Sequence, residues 1–397
     1  AQRLRGIIAR KTILATGGCG NLFPVTSNSG LITGDGSAVS IRVGCRLRDM
    51  EFIQYTPTAF AAPRSIRGQT INGALLAIEG VHLLNCRNER FMEKYAPETK
   101  ERSNRAVVSR SIFREVSSGR GTEAGGVYLD LTSVPFNKID SLRPGFTNFC
   151  LENGLNPGIE YLQTAPSVHT CLGGVSVDKR LMAKKNLYIV GEAIGGTHGA
   201  NRLSSNSLCE ANVTGWFAAK SAVLSLTENN ENNSALPFSE DDIRAQIRDS
   251  LMRNGNSATA KDTDPIRLAD ELRTIMGEAA GVERSRKGLI QGLDQLLELK
   301  KLHEHQKFFD TNNREAWLDL RNMIETSHII ILSALVREES RGAHARVDFP
   351  EQDNKNWLGS IHFSQTPVAN ENAPEYEWKF IPSKNSERPG QQTNTDK

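Results

Sequence analysis

Three observations predict an α/β fold interrupted by an inserted α+β domain and followed by a helical bundle. First, two short apolar runs, residues 12–15 and 187–190, each pass directly into a glycine-dense turn, Thr16-Gly-Gly-Cys-Gly20 and residues 191–199. Strands of that kind, continuous in apolar residues, are buried on both faces of a parallel sheet. Second, residues 61–165 change character to frequent turns, short amphipathic runs and many Arg and Glu. Third, beyond the polar stretch Asn229-Asn-Glu-Asn-Asn-Ser234, apolar residues recur at helical spacing. The expected boundaries are 1–60 and 166–228 for the α/β domain, 61–165 for the insertion, 236–345 for the helical domain and 346–397 for a tail.

Each element follows from local chemistry. A strand running into a glycine turn is where an α/β sheet takes a nucleotide. The G-x-G-x-x-G fingerprint of a first βαβ unit is absent, so a phosphate-cradling half is expected upstream of Ala1 and the chain reads as N-terminally truncated. Thr33-Gly-Asp-Gly36 introduces a helix, with Asp35 as a candidate N-cap. Residues 49–55 read as a strand broken by Pro57. Within the insertion, Val107, Val108, Ile112 and Phe113 give a helix an apolar face, and Arg110 lies between them. His169 precedes a Gly-Gly turn. After the second glycine turn, Ser204 to Ser207 suit a helix start, and Leu208, Trp216, Phe217 and Val223 are expected to face inward. Ser239 to Asp242 resembles a capping box before Ile243, Ile247 and Leu251. Asp264-Pro265 is an N-cap followed by proline at the first helical position, ahead of Leu268, Leu272 and Ile275. Tyr376, Trp378 and Phe380 alternate as a last strand.

Composition excludes several function classes. The 397 residues carry 48 basic and 46 acidic side chains, a formal charge of +2, which predicts no nucleic-acid footprint. No apolar run reaches the ~18 residues of a membrane span. The six cysteines include no C-x-x-C pair, which argues against a metal or iron–sulfur site within the chain and fits a reducing compartment.

Several stretches together resemble the flavoprotein subunit family of succinate dehydrogenase and fumarate reductase, whose relatives include L-aspartate oxidase. They are Ala15-Thr-Gly-Gly-Cys-Gly, Thr33-Gly-Asp-Gly36, Asp49-Met-Glu51 with Gln54, Asn88-Glu-Arg-Phe-Met-Glu-Lys-Tyr95 and Val108-Ser-Arg-Ser-Ile112. Val190-Gly-Glu192, His198-Gly-Ala-Asn-Arg202, Asn206-Ser-Leu208 and Glu339-Ser-Arg-Gly-Ala-His344 continue the match, which ends with Asp348-Phe-Pro and Asn356-Trp-Leu358. The resemblance implies a Rossmann-like FAD-binding domain, a capping domain and a C-terminal helical-bundle domain. It implies hydride transfer between FAD N5 and a small carboxylic acid, with a proton moved on the neighbouring carbon. By match, Asp35, Glu192, Ser207 and Leu208 contact FAD, Arg202 and His169 hold a substrate carboxylate, and Arg110 moves the proton. Also implied are an iron–sulfur partner subunit and a cytoplasmic location, peripheral on the inner face of the membrane through partner subunits.

Two departures concern the other side of the substrate. The family pattern Gln-Phe-His-Pro-Thr reads Gln54-Tyr-Thr-Pro-Thr58, so Thr56 replaces a histidine. The family's Thr-Glu pair and Arg-Gly-Glu-Gly turn are reduced to Ala77-Ile-Glu-Gly-Val-His82, which leaves Glu79 as the candidate surviving glutamate. Besides the succinate/fumarate reading, an L-aspartate oxidase-like enzyme and a catalytically altered flavin-binding paralogue remain open.

Overall fold

The structure, a computed structural model, describes residues 6–203, 205–228, 239, 241–242, 244–245, 264–304, 314–366 and 376–383. Strand β1 (Thr12–Leu14) leads into the first glycine turn, and helix α1 (Asp35–Arg42) follows. The cap of α1 is Gly34, in the left-handed conformation at φ 86°, and not Asp35. Asp35 is the first helical residue, and its carboxylate accepts a hydrogen bond from Asn322 Nδ2 at 2.8 Å.

After β2 (Leu47–Arg48) comes β3 (Ile53–Phe60), which runs through Pro57 where a break was expected. The register against its neighbour shifts between Thr56 and Ala59. At such an irregularity a residue without an N–H leaves no ladder bond unmade. The insertion then supplies β4 (His82–Leu84), α2 (Met92–Tyr95), α3 (Arg105–Glu115), β5 (Val127–Asp130), α4 (Phe136–Leu142), α5 (Phe146–Glu152) and β6 (Leu162–Cys171). Strands β3, β6, β5 and β4 form one antiparallel sheet in that order. It covers a core containing Phe60, Leu83, Val108, Ile112 and Leu129. Asn104 caps α3 by accepting from the Val107 N–H, which turns Val108 and Ile112 into that core.

The chain returns through β7 (Gly174–Val175), β8 (Met182–Lys184) and β9 (Leu187–Ile189) to the long helix α6 (Asn206–Glu228). β1 and β9 pair in parallel, so both glycine turns leave the same end of one small sheet. α6 does not carry its large apolar residues inward. It buries Ala218 and Ala222 against Tyr188 and Val190, while Leu208 is 74% and Trp216 66% exposed, with Phe217 and Val223 also outside. Small residues let the helix lie close on the strand, and its bulky side is left as an apolar stripe of the sort that marks a contact surface.

Helices α7 (Pro265–Ala279), α8 (Arg286–Glu304) and α9 (Arg314–Val336) pack on one another as the bundle. Asp264 caps α7 from its side chain to the Ile266 N–H at 3.0 Å, with Pro265 at the first position. Leu268, Leu272 and Ile275 join Leu22, Ile41 and Ile53 in one core, so bundle and α/β domain share their packing. The capping box is formed: Ser239 and Asp242 each accept from the other's backbone N–H. Ile243, Ile247 and Leu251 lie outside the described residues. α10 (Asn354–Trp357) precedes the hairpin β10 (Gly359–Gln365) and β11 (Tyr376–Pro382), which contains the alternating aromatic residues expected of a last strand. The hairpin pairs with β2, giving a second four-stranded sheet in the order β11-β10-β2-β7.

Three fully buried arginines organise this junction: Arg337 and Arg284 fasten the bundle to the segment between β2 and β3, and Arg346 ties the end of α9 to the loop after it. Arg337 donates from Nε to Glu51 Oε1 at 2.5 Å and from Nη1 to Glu339 Oε1 at 2.9 Å. Arg284 donates to the Glu51 carbonyl at 2.6 Å and lies 2.8 Å from His344 Nδ1. Arg346 pairs with Asp348 and donates to the Ala334 carbonyl. Guanidinium groups suit this role because they stay charged and have five donors to satisfy acceptors that cannot reach water.

Candidate active site

The two glycine turns border a cleft of about 300 Å³ whose lining includes Gly17, Gly18, Ser27, His169, Glu192 and Ser207. It opens at the carboxyl ends of the parallel strands β1 and β9, where α/β sheets bind ligands. At Gly18 a Cβ would displace the Glu192 carboxylate, whose Oε1 occupies that space. That oxygen accepts from the Cys171 N–H at 2.9 Å, and burial raises the carboxyl pKa. Ser207, one residue into α6, presents a buried hydroxyl with no partner among the described residues. The first N–H groups of the helix lie beside it. These groups fit the ring end of a flavin: small residues for a flat ring, and a hydroxyl with helix N–H groups for a polar edge that gains negative charge. Behind the wall, Cys19 and Cys171 are both buried with their sulfurs 2.8 Å apart, and Cys171 is held well above the usual thiol range by Cys19 and by burial. Cys171 is a small buried thiol that packs the wall.

A cationic group adjoins the cleft. His169, near the end of β6, has its Nδ1 2.8 Å from Ser27 Oγ. Burial, with the charges of Arg202 and Arg105, lowers its pKa to about 4, so the ring is neutral at pH 7. Arg202 is 5% exposed, and its Nε has no partner among the described residues. Gln54 Nε2 holds the turn in place by donating to Asn201 Oδ1 at 2.8 Å and to the Arg202 carbonyl at 2.9 Å. From the other side, Ala343 N–H donates to the Ala200 carbonyl at 2.8 Å. Gly342 has φ 55° and approaches so closely that a Cβ would overlap that same oxygen. The helical domain thus buttresses the turn that carries Arg202. Burial lowers the pKa of Arg202 and of Arg105, and the Arg105 charge lowers that of Arg202 further.

The residues singled out by sequence divide into three groups. His169, Glu192 and Ser207 line the cleft, Arg202 acts on His169 electrostatically, and Leu208 is exposed and not among the lining residues. Asp35 is engaged with Asn322 and Thr56 is buried in β3 opposite Ser167; neither is among the residues lining the cleft. Glu79 is exposed on the turn before β4 and lines neither the cleft nor the two cavities beside α3. Arg110 is not the arginine that meets His169 and Arg202. That residue is Arg105, at the first position of α3, and sequence reasoning passed it over. The helical register held a signal: Asn104 is a good N-cap, and an arginine directly after a cap projects from the helix end and not from its packed side.

The fold and cleft define a flavin-binding α/β protein with an inserted cap, and the FAD binding domain family matches residues 1–208. The family described as fumarate reductase flavoprotein C-term matches residues 269–390. One of the subunits of the fumarate reductase (CoM/CoB) of Methanothermobacter marburgensis is 38% identical over 361 residues, covering 89% of this chain and 63% of that protein. Mycobacterium smegmatis Sdh1, solved in complex with UQ1, superposes with a TM-score of 0.78 at 32% identity, covering 94% of this chain and 62% of that one. Escherichia coli quinol fumarate reductase gives a TM-score of 0.80 at 28% identity, with 96% and 66% covered. The chain belongs to the fumarate reductase and succinate dehydrogenase flavoprotein family. It spans a little under two thirds of the length of the curated relatives it matches.

Proposed function

We propose that the protein is an FAD-dependent oxidoreductase interconverting a small carboxylic acid and its enoate, of the succinate/fumarate type. The observation that carries this reading is the convergence of Arg202, Arg105 and a neutral His169 beside a cleft suited to a flavin ring. Bound FAD supplies or accepts the hydride. Glu192, Ser207 and the first N–H groups of α6 hold the ring edge. Arg202 holds a carboxylate through its planar fork, and His169 adds a directed donor. The shorter contact of Ser27 Oγ is to His169 Nδ1, at 2.8 Å against 3.2 Å to the Val168 carbonyl, and donation there leaves the proton on Nε2. Arg105 takes the role of proton donor, because burial among cations lowers its hold on a proton.

Electrons are proposed to pass to or from an iron–sulfur partner subunit, with the protein seated peripherally on the cytoplasmic face of a membrane. No helix among the described residues is long and apolar enough to cross one. Mixing the reduced FAD-loaded protein with a panel of enoates should restore the yellow flavin absorbance, and succinate-like acids should bleach it. A flavin unresponsive to every acid overturns the reading. Peroxide release on adding aspartate would favour an L-aspartate oxidase-like enzyme instead.

A further inference from the structure

Arg110 makes no hydrogen bond or close ion pair with any described residue, yet it borders two cavities on adjoining faces of α3. The outer cavity, about 330 Å³, lies between α3 and the loop after α9, with Arg114, Glu283 and Arg346 in its wall. The inner one, about 20 Å³, is lined by Arg105, Ser109 and Arg110 from α3 and by Gln54, Tyr55 and Asn201 from the Arg202 side. A space of that size holds about one water molecule, provided polar partners are present to bind it. Two such partners are waiting: Gln54 Oε1 and Ser109 Oγ are buried and unpartnered among the described residues. Gln54 is the same side chain that fastens Asn201 and Arg202.

We infer that protons reach Arg105 through Arg110 and one water held in the inner cavity by Gln54 and Ser109. The inference rests on the proposed reduction, in which the flavin gives the hydride and Arg105 gives the proton to the other carbon. Arg105, left neutral, regains a proton from the cavity water. The water is made whole from Arg110, and Arg110 from solvent in the outer cavity, so one proton enters for each proton delivered. Glu283, 10% exposed and paired with Arg114, holds positive charge favourable at the entrance and supports Arg110 electrostatically. Burial lowers the pKa of Arg110 as it does that of Arg105, which brings both guanidinium groups closer to sharing a proton. The arrangement also accounts for the exposed position of Glu79, since a route through α3 does not need a carboxylate from that turn.

Two measurements on the FAD-loaded protein test the relay. A crystal structure should show an ordered water within hydrogen-bond distance of both Gln54 Oε1 and Ser109 Oγ; a dry inner cavity overturns the inference, whatever the turnover. In fumarate reduction, Arg110→Met should lower kcat by about 10²-fold, the scale of a lost proton-transfer group. KM and flavin content should be unchanged, the solvent deuterium isotope effect on kcat should rise, and Arg110→Lys should recover part of the loss. Wild-type kcat and isotope effect in Arg110→Met overturn the relay. A wild-type protein that reduces no enoate overturns the proposed function instead, and the crystallographic result still decides whether the water site exists.

Discussion

The two sets of residues expected to meet the substrate are held in opposite ways. In one, His169 and Arg202 are gripped from several directions: Ser27 on the imidazole, Gln54 on the Arg202 turn, and the Gly342–Ala343 loop against Ala200. In the other, Thr56 is walled into its sheet and Glu79 stands in solvent. The first arrangement spends buried polar groups to hold a charge where it is useful, as sites built on rigid elements do. The second leaves both residues outside the lining of the cleft. The lesson is that the gripped set is the one tied to the core, through Arg284, Arg337 and Arg346 behind the supporting loop.

Breaking that tie should have the largest effect. Arg337→Met leaves Glu51 buried without its cation, while Glu339 keeps Arg341, and should cost about 3–5 kcal/mol of stability, read as a drop in urea midpoint. Loss below 1 kcal/mol would mean that the network does not hold the two domains together. Next comes the ligand side. Arg202→Met removes one charged partner worth about 1.5–3 kcal/mol, so kcat/KM for a dicarboxylate should fall by about 10- to 150-fold with flavin binding retained. An equal loss with a monocarboxylate lacking the second acid group would move Arg202 from general to shared recognition of the first carboxylate.

Much of the fold was legible because its signals are local. The Asp264-Pro265 start, the Ser239–Asp242 box and the strand-to-glycine turns are written in adjacent residues and formed as read. What failed depended on distant partners. α6 has apolar residues on more than one side, and only Tyr188 and Val190 decide that Ala218 and Ala222 face in. Pro57 could stay in a strand because β6 shifts register beside it. Arg105 and Arg110 share a helix and a residue type; which one meets His169 is set by a cap at Asn104 and by the path of β6. The family match carried Glu192, Ser207 and His169 to one cleft, with Arg202 near enough to act on His169, while Asp35 took a structural partner in α9 that no spacing reveals.

A smaller effect comes from protons on His169. Its folded pKa of about 4 lies below the ordinary 6.5, so above pH 6.5 both folded and unfolded chains carry it neutral. As pH falls from 6.5 towards 4, only the unfolded chain takes the proton, and stability is lost across that window. His169→Gln should flatten the decline in unfolding free energy between pH 7 and pH 4.5 relative to the parent. An unchanged slope would show that His169 is not buried among cations in solution.

The smallest effect is expected at Glu79, and it tests the comparison from its weak side. An exposed carboxylate with no binding role should tolerate Glu79→Gln with a change within about 0.5 kcal/mol, or about twofold in kcat/KM. Flavin content should be unchanged, and so should the solvent isotope effect that Arg110→Met is expected to raise. A loss beyond tenfold confined to kcat would place Glu79 in the proton path, which requires the cap to swing its turn inward when substrate binds. The two sets would then differ only in when they assemble: one standing ready in the folded protein, the other completed by closure.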